Sequence, residues 1–154
     1  MYRKKENLTF IVSFFSYSGD TGYCPELFKA IGERYAPFTL AAIPIGSFKP
    51  EILMQHLHMG PTEAVKVHHD IGCPRLSIGI HWGTFMMSDE HYLEPAKQLR
   101  EAWKMIDIQR TGGELTKSNP LPSPSSSSSS AASSSSVPDT QFITTSIGQT
   151  VCVD

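Results

Sequence analysis

The sequence predicts an α/β fold built on a parallel sheet. The order in which its predicted strands and helices follow one another indicates this class. Three short apolar runs alternate with three amphipathic segments, each of which begins at a proline. Connections of this length join parallel strands through right-handed crossovers. A serine- and proline-rich stretch follows at residues 120–138, and its composition predicts disorder.

The apolar runs predict the strands. They lie at residues 8–15, 39–45 and 75–80. None of them alternates between apolar and polar residues, which favours strands that are covered on both faces.

The amphipathic segments predict the helices. They lie at residues 25–36, 61–72 and 95–106. A proline at the first helical position is tolerated because its missing N–H would have no partner there. The predicted buried positions are Leu27, Phe28, Ile31 and Tyr35 in the first helix, Ala64, Val65, His68 and Ile71 in the second, and Leu99, Ala102, Trp103 and Ile106 in the third.

The composition excludes several classes of function. The formal net charge is −2 and 18% of the residues are charged, so there is no basic stripe of the kind that binds nucleic acid. The first apolar run is far shorter than the roughly 20 residues that a membrane-spanning helix needs. Cys24, Cys73 and Cys152 are widely spaced, which favours a reducing compartment over a disulfide framework. We expect an intracellular protein with no secretory signal.

The first strand leads directly into the turn YSGDTGY at residues 17–23, where Asp20 stands between two glycines. Glycines let the backbone bend sharply and expose the acid at the end of the strand. In open α/β sheets, ligands bind beyond the carboxyl ends of the strands. Asp20 is therefore either an ordinary turn residue or a functional carboxylate.

His81 directly follows the third predicted strand. A carboxylate and an imidazole at neighbouring strand ends can share a divalent ion such as Zn²⁺, although zinc sites normally have three or four protein ligands. The alternative is a histidine hydrogen-bonded beneath Trp82. His56 and His58 would point the same way in an extended backbone; they complete the site, bind a polar head group, or do neither.

The other candidates receive structural roles. Adjacent helix positions do not converge on one point, so His68 is assigned to the packed face of its helix, and His69 with Asp70 to solvent. His91 is expected just before the last helix, and no Cys–His–Asn arrangement can be argued around Cys24. The sequence contains no GxSxG, P-loop or GxGxxG motif, so serine-hydrolase, NTPase and dinucleotide-binding classes lack support.

Three motifs in this spacing resemble one family of hydrolases. They are GDTGYCPELFKAIGERYAPFTLAAIPIG, HMGPTEAVKVHHDIG and IGIHWGTF followed by DEHYLEP. Over roughly residues 17–103 they resemble the second half of the metallo-β-lactamase-fold hydrolases, and within them the branch of N-acylphosphatidylethanolamine-hydrolysing phospholipase D. The resemblance implies that the chain is the second half of an αββα sandwich with two zinc ions at the sheet edge, followed by a disordered serine-rich tail.

The resemblance also implies roles for particular residues. Asp20 would be the catalytic carboxylate that bridges the two zinc ions, His81 the last histidine ligand, and His58 a substrate-binding residue near the lipid head group. The implied reaction hydrolyses an N-acyl phospholipid at a membrane surface to an N-acylethanolamine and a phosphatidic acid. The implied location is cytoplasmic or peripheral on internal membranes.

The chain departs from this family in its metal motifs. The family's first half carries an HxHxDH motif and a further histidine, whereas this sequence contains no HxHxDH. We expect the carboxyl-terminal portion of the domain at residues 1–116, a low-complexity, mostly disordered tail at residues 117–154, and no activity from the chain alone. A homodimer or a missing amino-terminal half would complete the site. The alternative is a non-catalytic truncated remnant or interaction module of the same fold.

Overall fold

The structure, a computed structural model, describes residues 14–110 and 140–153, and its centre is a four-stranded sheet. The strands are β1 (Phe15–Tyr17), β2 (Leu40–Pro44), β3 (Leu76–Ile80) and β4 (Gln141–Ile143). They lie side by side in chain order, and every neighbouring pair is parallel. The predicted α/β class with a parallel sheet is confirmed. Residues 8–13 of the first predicted strand and the predicted disorder at residues 120–138 lie outside the described residues.

Four helices connect and follow the strands. They are α1 (Pro25–Tyr35), α2 (Glu51–Met54), α3 (Pro61–Asp70) and α4 (Glu94–Arg110). The sequence predicted all of them except the short α2. Both α1 and α3 begin at a proline, and the Glu63 carboxylate accepts the Gly60 N–H at 3.3 Å, which stabilises the start of α3. No helix in the described part of the chain is both long and apolar enough to cross a bilayer.

The helices pack on one face of the sheet. Right-handed crossovers between consecutive, adjacent parallel strands place α1, α3 and α4 on the same side, and α3 contacts both α1 and α4. The strand residues that face this layer are almost fully buried: Ala41, Ile43 and Ser77 are 0%, 1% and 0% exposed. Ala41 and Ile43 pack in one core with Val65 of α3 and Leu99 of α4. Ser77 is polar and does not belong to this apolar core.

The opposite face of the sheet is apolar but less buried. Phe15 and Tyr17 are 59% and 66% exposed on β1, and Leu40, Ile78 and Ile80 are half-buried. A sheet with helices on one face and a second apolar face is one half of a two-sheet sandwich. The fold class predicted from the sequence, half of an αββα sandwich, agrees with this architecture.

The buried face of α1 differs from the predicted one. Leu27 and Tyr35 are 54% and 52% exposed, whereas Phe28 and Gly32 are buried. A Cβ on Gly32 would lie 2.2 Å from the carbonyl oxygen of Asp70, so the two helix backbones approach closely at this glycine. The apolar pattern could not reveal this contact because glycine carries no hydrophobic side chain.

Strand β4 follows the serine-rich stretch and was not predicted. It pairs with β3, with Ser77 opposite Phe142, and Phe142 is 5% exposed in the core. A three-residue strand has too little sequence for a periodic signal. Part of the segment assigned to the tail therefore belongs to the sheet.

Candidate metal centre

Three of the predicted site residues converge at the carboxyl ends of the strands. Asp20 lies three residues after β1, His58 lies between α2 and α3, and His81 directly follows β3. Each offers a ligand atom, and these atoms lie within 4.8 Å of one another. The crossover connections bring the three residues together because the carboxyl ends of parallel strands meet at one edge of a sheet.

The orientation of His81 is set by a backbone carbonyl. Its Nδ1 lies 3.3 Å from the Gly46 carbonyl oxygen, which can only accept, so Nδ1 carries the hydrogen. The lone pair of Nε2 then faces Asp20, whose Oδ1 is 3.3 Å away. Two acceptors at this distance repel each other unless a proton or a metal cation lies between them. A histidine fixed through its other nitrogen is typical of metal ligands.

The loop that provides this carbonyl lies very close to His81. A Cβ on Gly46 would lie 2.2 Å from the His81 carbonyl oxygen, so no other residue fits without a backbone shift. His81 itself has a φ of 61°, a left-handed conformation that costs roughly 1–3 kcal/mol for a non-glycine residue and is concentrated at functional sites. The backbone at the site is therefore strained and closely packed.

His58 stacks on His81. The two ring centroids are 5.1 Å apart with an angle of 17° between the planes. The Nδ1 atom of His58 is buried and has no hydrogen-bond partner among the described residues, which is costly unless a ligand or an ion satisfies it. The adjacent Met59 N–H donates to the Thr21 carbonyl at 3.0 Å, which ties this segment to the turn that carries Asp20.

Glu90 is a buried carboxylate that the sequence analysis did not single out. It is 5% exposed and accepts the backbone N–H groups of Ser47 and Lys49 at 2.5 and 3.2 Å. Burial alone would raise the pKa of this carboxyl, but hydrogen bonds from Ser88 and from three backbone N–H groups outweigh burial and lower the pKa. Lys49 also pairs with Glu94. These contacts fix the loop that begins at Gly46.

Two cavities flank the three converging residues. One, of about 300 Å³, is lined by His58 together with polar residues such as Gln55 and Glu63. The other, of about 250 Å³, is lined by His81 and by apolar residues that include Phe85 and Met87. The site thus lies between a polar and an apolar cavity.

The other candidates lie outside this cluster. His56 is exposed, and His91 precedes α4 as expected, where its Nδ1 accepts the Leu93 N–H at 3.3 Å. His68 is buried, as predicted. His69 and Asp70 are half-buried rather than solvated. Asp70 accepts a hydrogen bond from the Tyr23 hydroxyl at 2.6 Å, a contact between α3 and the turn before α1 that a single-helix pattern cannot predict.

The donor set fits a metal ion. A carboxylate oxygen and imidazole nitrogens are the ligands that Zn²⁺ and similar divalent ions bind. A cation between Asp20 and His81 would satisfy their facing acceptors, and His58 offers a third ligand atom in the same cluster. The fold and this edge cluster together define a metal-dependent hydrolase class.

Comparison with known proteins agrees with that class. Residues 2–82 match the β-lactamase superfamily domain, and the chain belongs to this superfamily. The match includes Asp20, His58 and His81. The resemblance inferred from the sequence motifs is confirmed at this level.

Individual relatives are similar over about half of the chain. N-acyl-phosphatidylethanolamine-hydrolyzing phospholipase D 1 of Caenorhabditis elegans is 52% identical over 88 residues, which are 56% of this chain and 24% of the relative. The mitochondrial N-acyl-phosphatidylethanolamine-hydrolyzing phospholipase D of Saccharomyces cerevisiae is 40% identical over 84 residues, 54% of this chain and 18% of the relative. A metal-dependent hydrolase of Cupriavidus metallidurans is 41% identical over 71 residues, 46% of this chain and 21% of the relative. The chain therefore matches about a quarter of these relatives or less.

Proposed function

We propose that this chain contributes half of the active site of a zinc-dependent phospholipase D that hydrolyses N-acylphosphatidylethanolamine to an N-acylethanolamine and a phosphatidic acid. The observation that carries the proposal is the convergence of Asp20, His58 and His81 within 4.8 Å at the carboxyl edge of the sheet. The similarity to two hydrolases of this substrate supports it.

Each of the three residues has a distinct role in the proposal. Asp20 would be the carboxylate ligand shared by the two zinc ions, and His81 would be a ligand through its Nε2. Gly46 keeps the His81 ring in the required tautomer by accepting the Nδ1 hydrogen. His58 contacts the lipid head group from the polar cavity. Bound zinc ions would lower the pKa of water and neutralise charge on the phosphodiester.

The surface around the site suits a lipid substrate. Phe85, Met86 and Met87 are 77%, 67% and 80% exposed on the loop after β3, and Ile52 and Leu53 are 79% and 68% exposed on α2. Exposed apolar side chains beside a polar site favour docking on a membrane surface. We propose an intracellular protein that is cytoplasmic or peripheral on internal membranes.

The proposal includes a partner for the site. Two zinc ions need more protein ligands than the three of this cluster, because each site normally has three or four, and the sequence has no HxHxDH motif. The less buried apolar face of the sheet, with Phe15 and Tyr17, is where a second sheet would pack. We propose that an amino-terminal half or a second copy supplies the remaining ligands to residues 1–116, and that the chain alone is inactive.

The test measures release of N-acylethanolamine from a micellar N-acyl phospholipid, with metal content determined in parallel. The samples are the chain alone and the chain combined with a polypeptide that carries the family's HxHxDH half. We expect hydrolysis only in the combination, and its loss when a chelator removes the metal. A combination that binds two zinc ions but releases no product, or equal activity of the chain alone, would contradict the proposal.

A further inference from the structure

A second cluster of metal-ligating side chains lies at the other end of β3. His68 and His69 lie in the last turn of α3, and Cys73 lies in the turn before β3. Each offers a ligand atom, and the three atoms lie within 4.8 Å of one another. The five residues of β3 rise by about 3.3 Å each. The length of the strand, roughly 16 Å, therefore separates this cluster from His81.

The chain path after α3 creates the cluster. Gly72 has a φ of 92° and Cys73 a φ of 53°, so the backbone reverses just past the helix and brings the thiol back to it. The Cys73 N–H donates to the His68 carbonyl at 3.0 Å, which fixes the turn. The left-handed conformation of Cys73 costs roughly 1–3 kcal/mol in a residue that is not glycine.

One distance within the cluster is close to that between two ligands of a coordinated ion. The Nδ1 of His69 lies 3.3 Å from the Cys73 Sγ, and ligands at usual Zn–N and Zn–S distances in a tetrahedral site lie about 3.6 Å apart. The Nδ1 of His68 is 2.8 Å from the Ser77 Oγ, a buried partner that fixes the ring and orients its other nitrogen. Such an outer hydrogen bond is typical of histidines that bind metals.

An aromatic shell surrounds the two imidazoles. The Trp103 ring is nearly parallel to the His69 ring, with centroids 6.1 Å apart, and nearly perpendicular to the His68 ring, with centroids 4.9 Å apart. Phe142 of β4 stacks on His68 at 5.8 Å. An apolar shell of this kind limits solvent access to a metal site. His69 and Cys73 are only half-buried, which leaves a route for an ion.

We propose that His68, His69 and Cys73 form a second metal site, specific for a borderline-soft divalent ion such as Zn²⁺. Thiolate and imidazole ligands select such ions over Mg²⁺ and Ca²⁺. Binding displaces the thiol proton of Cys73 to solvent as the sulfur–metal bond forms. A bound ion would link the end of α3 to the turn before β3 and, through Phe142 against His68, to β4.

Co²⁺ is the probe, because a cobalt–thiolate bond gives a near-ultraviolet charge-transfer band that carboxylate and imidazole ligands do not produce. Titration of the full chain should give this band. His81→Ala should keep it, since that change affects only the other cluster. Cys24→Ser, which removes an exposed free cysteine, is the matched control and should also keep it. Cys73→Ser should abolish the band, and His69→Ala should weaken Co²⁺ binding by at least about tenfold.

A band that persists in Cys73→Ser, or no band in the wild-type chain, would overturn the proposal. Alkylation of the cysteines in the wild-type chain provides a second measurement, which does not depend on whether a substituted chain folds. Zn²⁺ should slow modification of Cys73 at least about tenfold relative to its own metal-free rate, while the rate at Cys24 stays the same. Equal rates at Cys73 with and without Zn²⁺ would equally overturn the proposal.

Discussion

The two ends of β3 both carry metal-ligating side chains, but in different environments. At the carboxyl end, Asp20 and His81 have side chains that are 64% and 30% exposed, on loops held by glycines. At the amino end, His68 is fully buried among aromatic rings and bonded to Ser77. An exposed, strained edge can exchange water and substrate, whereas a buried one stabilises the packing. We therefore expect substitutions at the carboxyl end to change activity and substitutions at the amino end to change stability.

The largest expected effect is that of Asp20→Asn on hydrolysis in the assembled enzyme. Asparagine has nearly the same size, but its amide cannot bridge two cations, so turnover should fall by at least about 10³-fold, as when a major charge-stabilising group is lost. The melting temperature of the metal-free protein should not change, because the side chain is 64% exposed. Product release and zinc content measure the effect. Asp89→Asn, an exposed acid on the loop after β3, is the control; equal losses in both variants would contradict a special role for Asp20.

At the buried end, Phe142→Ala tests whether β4 stabilises the fold. Phe142 is 5% exposed and packs on His68 and Trp103, so its truncation should lower the free energy of unfolding by about 3–5 kcal/mol. Urea denaturation of the full chain measures this. Gln141→Ala, on the exposed neighbour, should have little effect. An unchanged midpoint for Phe142→Ala would show that β4 is dispensable.

His58→Ala tests a substrate-binding residue at the carboxyl end of β3. Loss of one head-group contact should cost about 1–3 kcal/mol of binding free energy, which lowers kcat/KM in the assembled enzyme roughly 5- to 150-fold. This effect is milder than that of Asp20→Asn. His56→Ala is the matched control, because His56 lies two residues away and is exposed. If His58→Ala instead removes a zinc ion, His58 is a metal ligand rather than a substrate contact.

The smallest effect is expected at Glu90, which holds the loop beside His81. The lowered pKa of this carboxyl means that its hydrogen bonds stabilise the fold above the ordinary value of 4.5 and that this stabilisation is lost as the pH falls through the lower, folded-state value. Glu90→Gln should therefore cost about 1 kcal/mol at pH 7 and should flatten the acid side of the stability profile. Denaturation between pH 3 and pH 7 measures this, with Glu33→Gln as an exposed control. An unchanged profile would contradict the assignment.

The sequence predicted the parallel sheet, three of the four helices and the edge at which Asp20 and His81 meet. Strong local signals made this possible: the prolines at the starts of α1 and α3 and long apolar patterns. The polar turn at Asp20 after a strand indicated the edge at which we propose the active site, because the topology of parallel strands brings such turns together.

The remaining features depend on contacts between residues far apart in the chain. Glu90 accepts the Ser47 N–H only because the loops after β2 and β3 meet at the sheet edge. Residues 141–143 form β4 only because β3 offers an unpaired edge. The convergence of His68 and His69 with Cys73 requires a backbone reversal at positive φ, which adjacent helix positions do not predict. The hydrophobic periodicity of a segment indicates which of its sides is buried. Only the tertiary structure decides which side chains from separate segments come into contact.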